Sequence, residues 1–128
     1  MSIKVKTKYL DIILLEDLTF VDLVKKIEKV FNVSLPYENK KGRYIAEGQK
    51  GRYKIELIDR FDDLSELLCD EHHVLSLSIP FEEEFHYIVI ENEVMKLLKN
   101  YDIKWKFGVW TGPSESNKPR RNISPDEE

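Results

Sequence analysis

Two stretches of helical spacing set among short runs of period-two alternation constrain this chain more than any other feature of it. Phe20, Leu23, Val24, Ile27, Val30 and Phe31 recur at the three- and four-residue intervals of an amphipathic helix. Thr19 is placed to cap the start, with Asp22 three residues on in the capping-box position. Asn32 tolerates the left-handed conformation that ends a helix ahead of Pro36. A second helical pattern over residues 82–100 places Phe85, Ile88, Val89, Met95 and Leu98 on one face. Glu82, Glu83 and Glu84 complement the positive end of its dipole, and Lys96 and Lys99 the negative end.

Strands are expected around these two helices. Ile3, Val5, Thr7 and Tyr9 alternate with Lys4, Lys6 and Lys8, and lysines on the outer face suit the edge of a sheet. Residues 10–15 either extend that strand or turn inward; periodicity is compatible with both. A turn signal at Asn39-Lys40-Lys41-Gly42 precedes two short strands, residues 43–47 and 53–59, joined by the glycine-bearing loop 48–51. Asp62-Asp63 caps a short helical turn that buries Leu64, Leu67 and Leu68. His73, Leu75, Leu77 and Ile79 alternate with smaller residues in a strand that Pro80 stops, and Ile103, Trp105, Phe107 and Val109 form the last one. This order predicts an α+β fold, a single mainly antiparallel sheet of about five strands with two main helices packed on one face. Residues 1–111 make one globular domain. Residues 112–128, rich in Gly, Pro, Ser, Asn and charge, read as a flexible C-terminal tail.

At 128 residues and 41% hydrophobic content the chain can bury one core. Its one cysteine, Cys69, excludes an internal disulfide and fits a reducing compartment. The first residues lack the apolar run of a secretory signal, and no window nears the roughly 18 apolar residues of a membrane span. The expected location is cytoplasmic, with no membrane contact.

Charge is distributed unevenly. Residues 56–93 hold twelve carboxylates and one cation, Arg60, whereas residues 1–54 have twelve Lys or Arg against seven acids. The local balance of −11 (1 minus 12) lies within a chain whose net charge is −4. Such an excess repels itself unless a cationic partner uses it. The bland reading is a solubilising surface. The functional reading is a docking face of Asp59, Asp62, Asp63, Glu66, Asp70, Glu71, Glu82, Glu83 and Glu84. Phe61 is counted with that face, and Phe81, Phe85 and Tyr87 lie among the acids as further aromatic anchors.

Chemistry finds little support. Cys69, Asp70, Glu71, His72 and His73 are the one cluster with metal or nucleophile potential, but the spacing lacks paired ligands on rigid elements. Neighbouring acids would raise the Cys69 thiol pKa, opposite to what a nucleophile needs. No glycine-rich phosphate loop is present. The lysines fall on a strand edge, a helix back and loops, and the acidic balance argues against direct nucleic-acid binding. The expectation is no catalytic residue, no metal and no cofactor.

Gly42-Arg43-Tyr44-Ile45-Ala46-Glu47, the segment from Tyr53 to Asp62, and the amphipathic Asp22-Leu23-Val24-Lys25-Lys26-Ile27 resemble small bacterial immunity proteins of polymorphic toxin systems, including contact-dependent growth inhibition. The resemblance covers about residues 10–80 and implies a non-enzymatic inhibitor. Such a protein binds one cognate toxin, often a basic nuclease domain, as a monomer that becomes a heterodimer. The alternative is a small regulatory or adaptor domain that binds another protein or self-associates.

Overall fold

The strand β1 (Lys6–Leu14) is paired on both sides, and the rest of the sheet is arranged about it. The computed structural model describes residues 6–40, 43–51, 53–59, 72–81, 86–111 and 121–125. After β1 come α1 (Phe20–Phe31), β2 (Tyr37–Lys40), β3 (Arg43–Lys50), β4 (Tyr53–Ile58), β5 (Val74–Phe81), α2 (Tyr87–Asn100), β6 (Trp105–Thr111) and β7 (Asn122–Ile123). Among the described residues these strands form one antiparallel sheet in the order β2-β3-β4-β5-β1-β6-β7. The fold class is α+β as expected, with seven strands instead of about five.

Strand alternation divides the sheet into two faces. Leu10 and Ile12 on β1 lie opposite Leu77 and Leu75, which lie opposite Ile55 and Leu57 on β4. These residues join Leu23, Ile27 and Phe31 of α1 and Val94 and Leu98 of α2 in one buried cluster, so both helices cover this face. The other face carries Ile45, Ile58, Val74, Ile13 and Phe107 as one transverse row, followed by Glu47, Glu56, Ser76 and Asp11. Ser76 donates its hydroxyl hydrogen to Asp11 at 2.7 Å, which satisfies a polar pair in the middle of the sheet.

Helix α1 has the expected bounds because its caps are local chemistry. Thr19 Oγ1 accepts the Asp22 N–H at 3.2 Å, and Asn32 closes the other end at φ 56°. Helix α2 begins at Tyr87, later than residue 82, so the expected glutamates lie outside its first turn. Ile88 and Val89, expected on the inner face, are exposed at 62% and 63%. The inward residues are Glu91, Val94 and Leu98, and the carboxylate in that stripe misdirects an apolar-periodicity reading.

Three strand expectations need correction for one reason, that pairing is decided far along the chain. β1 is central, not an edge. Its lysine positions continue into Leu10, Ile12 and Leu14, so Lys6 and Lys8 stand on the helix-facing side beyond the core, with Lys8 Nζ 5.4 Å from the Tyr87 ring. Pro80 does not stop β5, which pairs with β1 through Phe81. Pairing with β4 ends at Ser78, so beyond it the missing N–H removes no ladder bond on that side. In β6 an irregularity opposite Ile13 and Leu14 reverses the alternation. Trp105, Gly108 and Trp110 are therefore buried while Phe107 is exposed.

Two glycines have different tasks. Gly51, at φ +58°, sits in the short turn between Lys50 and Tyr53. Gly48, expected in the connecting loop, is within β3, and an added Cβ would lie 2.5 Å from the Ser34 carbonyl oxygen. The glycine lets the α1–β2 connection cross the sheet closely. Residues 121–125, within the stretch expected to be a tail, also meet the sheet: β7 pairs with β6, and the Trp110 N–H donates to the Arg121 carbonyl at 2.9 Å. The expected turn at Leu64, Leu67 and Leu68 lies outside the described residues.

Candidate functional site

Most of the expected docking residues, Phe61, Asp62, Asp63, Glu66, Asp70, Glu71, Glu82, Glu83 and Glu84, lie outside the described residues, as do Cys69 and Phe85. Their flanking residues are informative. Asp59 and His72 border the segment 60–71 beside the start of β5, whereas Phe81 and His86 border 82–85 beyond its other end. Strand β5 between them is eight residues, roughly 25 Å of extended chain. The two acidic segments therefore leave the sheet at opposite ends.

Among the described residues, Glu91 and Glu93 of this acidic stretch are tied to aromatic side chains of the fold. Glu91, 5% exposed, accepts the Trp110 indole N–H at 2.7 Å and two Arg121 hydrogen bonds at 2.6 and 3.0 Å. Tyr87 stacks edge-on to Trp110 at 5.2 Å and has the Arg121 guanidinium 5.0 Å from its ring, so it serves this cluster. Glu93 accepts the Tyr53 hydroxyl at 2.8 Å, and burial together with that bond pushes the Tyr53 phenol far above its ordinary range.

Asp59 is half-buried at the end of β4, 3.6 Å from His73 Nδ1. His73, immediately before β5, is 1% exposed, and its Nε2 donates to the Leu18 carbonyl at 3.0 Å. The Asp59 N–H donates to the Tyr44 carbonyl at 3.0 Å, joining the start of the acidic segment to β3. Among the described residues no group of three or more His, Cys, Asp or Glu side chains is placed to hold a metal ion.

This end of the sheet carries an aromatic group that sequence reading missed. Tyr37 pairs with Ala46 and Tyr44 with Asn39, so the two tyrosines are diagonal neighbours on one face of the β2–β3 hairpin. Their rings lie 5.9 Å apart at 71°, and both pack on Phe20, at 5.6 and 6.1 Å. Phe20 in turn lies 6.2 Å from the His73 ring. Tyr37 and Tyr44 are each 42% exposed, and Val21 beside Phe20 is also exposed. Asp17 and Asp22, both exposed, flank Phe20 in sequence. The available signal was the turn at residues 39–42 with a tyrosine on either side.

Glu16 fixes the adjoining loop. One oxygen binds Lys26 Nζ at 2.9 Å and the other accepts the Lys104 N–H at 2.7 Å. Burial pushes the Glu16 carboxyl up, but these two partners outweigh it and hold the pKa below the ordinary 4.5. No protein-family model matches this sequence, and no curated protein matches it either. Among the described residues no helix is long and apolar enough to cross a membrane.

Proposed function

We propose that the chain is a non-catalytic immunity protein of the cytoplasm that neutralises a cognate toxin by covering its basic active-site surface, a nuclease domain in the first instance. One observation carries the reading. Tyr37 and Tyr44 stand half-exposed and locked on Phe20 at the place where the acidic segment leaves β4 through Asp59. Rigid aromatic side chains bind at low entropic cost, and clustered acids speed encounter with a cationic partner. On this reading the docking face is centred on the Asp59 end, with Asp17, Asp22, Val21, Tyr37 and Tyr44 contributing to it.

Co-expression with a panel of basic nuclease toxins tests this. One toxin should be neutralised, with an association rate that falls as salt rises. Protection undiminished in a D17K/D22K/Y37A/Y44A variant would refute the face. Failure against every toxin in a panel whose own inhibitors all protect would count against the function. A second reading, a self-associating adaptor, is favoured by the exposed Ile88 and Val89 on α2. A concentration-dependent dimer that I88S/V89S abolishes would select it.

A further inference from the structure

The other side of Glu16 carries a feature of opposite sign. The last turns of α2, the turn that follows, the start of β6, Leu15 and Pro125 enclose a groove of about 720 Å³. Among the described residues its apolar lining comes from Leu15, Met95, Ile103 and Trp105, while Lys96, Lys99 and Lys104 supply cations and Asp102 an acid. Leu15 is 44% exposed, a large apolar side chain facing this space. The volume is that of a small-molecule site, for which an apolar wall with a few charged groups is the usual composition.

Charge decides what fits. A helix C-terminus ordinarily repels anions through its free carbonyls. Here Ile103 N–H donates to the Leu98 carbonyl at 2.9 Å, Asp102 N–H to Lys99 at 3.1 Å and Tyr101 N–H to Leu97 at 3.2 Å. These three carbonyls are occupied, and among the described residues that line the groove three exposed lysines face one carboxylate. The left-handed Asp102, at φ 55°, turns the chain so that Lys104 comes round to the same side as Lys96 and Lys99.

We infer that this groove binds a small amphiphilic anion, with a carboxylate head on Lys96, Lys99 and Lys104 and a hydrocarbon body against Leu15, Met95, Ile103 and Trp105. This site is independent of the toxin-facing end.

Decanoate, below its micelle concentration, is the probe, with decyltrimethylammonium and acetate as controls. Tryptophan fluorescence and amide shifts report binding to the full chain. Decanoate should bind saturably, perturbing Leu15 and residues 95–105, while acetate and the cationic amphiphile do not. K96E/K99E/K104E should weaken binding by about tenfold or more, as the loss of several exposed ion pairs implies. D102N, which retains a residue tolerant of left-handed backbone, should tighten it by about twofold. Equal affinity for both amphiphiles, or an unaltered constant in a triple-lysine variant with native melting temperature, overturns the assignment. So does saturation by an acidic leucine-bearing peptide with no response to decanoate, which would give the groove to a protein segment.

Discussion

The tyrosine end and the lysine groove lie on either side of Glu16 and differ in every respect that governs recognition. The first combines exposed aromatic rings with exposed acids. The second is a recess with an apolar wall and a cationic rim, shaped to be entered. Glu16 binds Lys26 of α1 with one oxygen and the Lys104 backbone with the other, so one carboxylate holds the boundary. A net charge of −4 averages over this contrast and conceals it. Recognition depends on local sign and shape, since exposed charges further apart than about 8–10 Å are screened from each other in ordinary salt.

The two regions can be separated by mutation, beginning with the largest effect. Glu91→Ala removes the acceptor shared by Trp110 and Arg121, and should cost about 3 kcal/mol of stability. Because Arg121 ties residues 121–125 to the sheet, decanoate binding should fall further than toxin binding. Calorimetry and titration on the same sample check this; equal losses would mean the regions are coupled. Gly48→Ala should cost about 2 kcal/mol, since the new Cβ meets the Ser34 carbonyl oxygen. Its damage should fall on Tyr37 and Tyr44 through the displaced β2 connection, seen as lost aromatic shifts with the groove intact.

Tyr44→Ala, at a half-exposed site, should leave the melting temperature within a few degrees yet weaken toxin binding by about 2 kcal/mol. A stability loss without a binding loss would return the ring to a packing role. The smallest effect is a pH dependence. The folded Glu16 carboxyl lies below its ordinary 4.5, so its stabilisation is present above that value and is lost as pH falls through the lower folded value. Glu16→Gln should flatten stability against pH below about 4.5, measured by urea midpoints, and an unchanged slope would place the acid sensitivity elsewhere.

Local physics was legible in the sequence. Thr19 and Asn32 bound α1 where capping chemistry puts them, and the turn residues at 39–42 announce a chain reversal. The site was much less legible. Tyr37 and Tyr44 become neighbours through hairpin register, and the acidic run divides because β5 separates the residues that flank its two parts. The groove was invisible, since Leu15 and Trp105 are ninety positions apart.

By itself the sequence determined two helices, most of the strand segments, an α+β class and a chain dense in acids at its middle, because these depend on neighbours within a few residues. Tertiary structure decided that β1 is central, that Phe107 faces outward, and that Glu91 is buried under Trp110 and Arg121. Those outcomes rest on contacts between distant segments. One irregular step in a ladder reverses every side chain beyond it, and a carboxylate can be interior when its partners arrive from elsewhere in the chain.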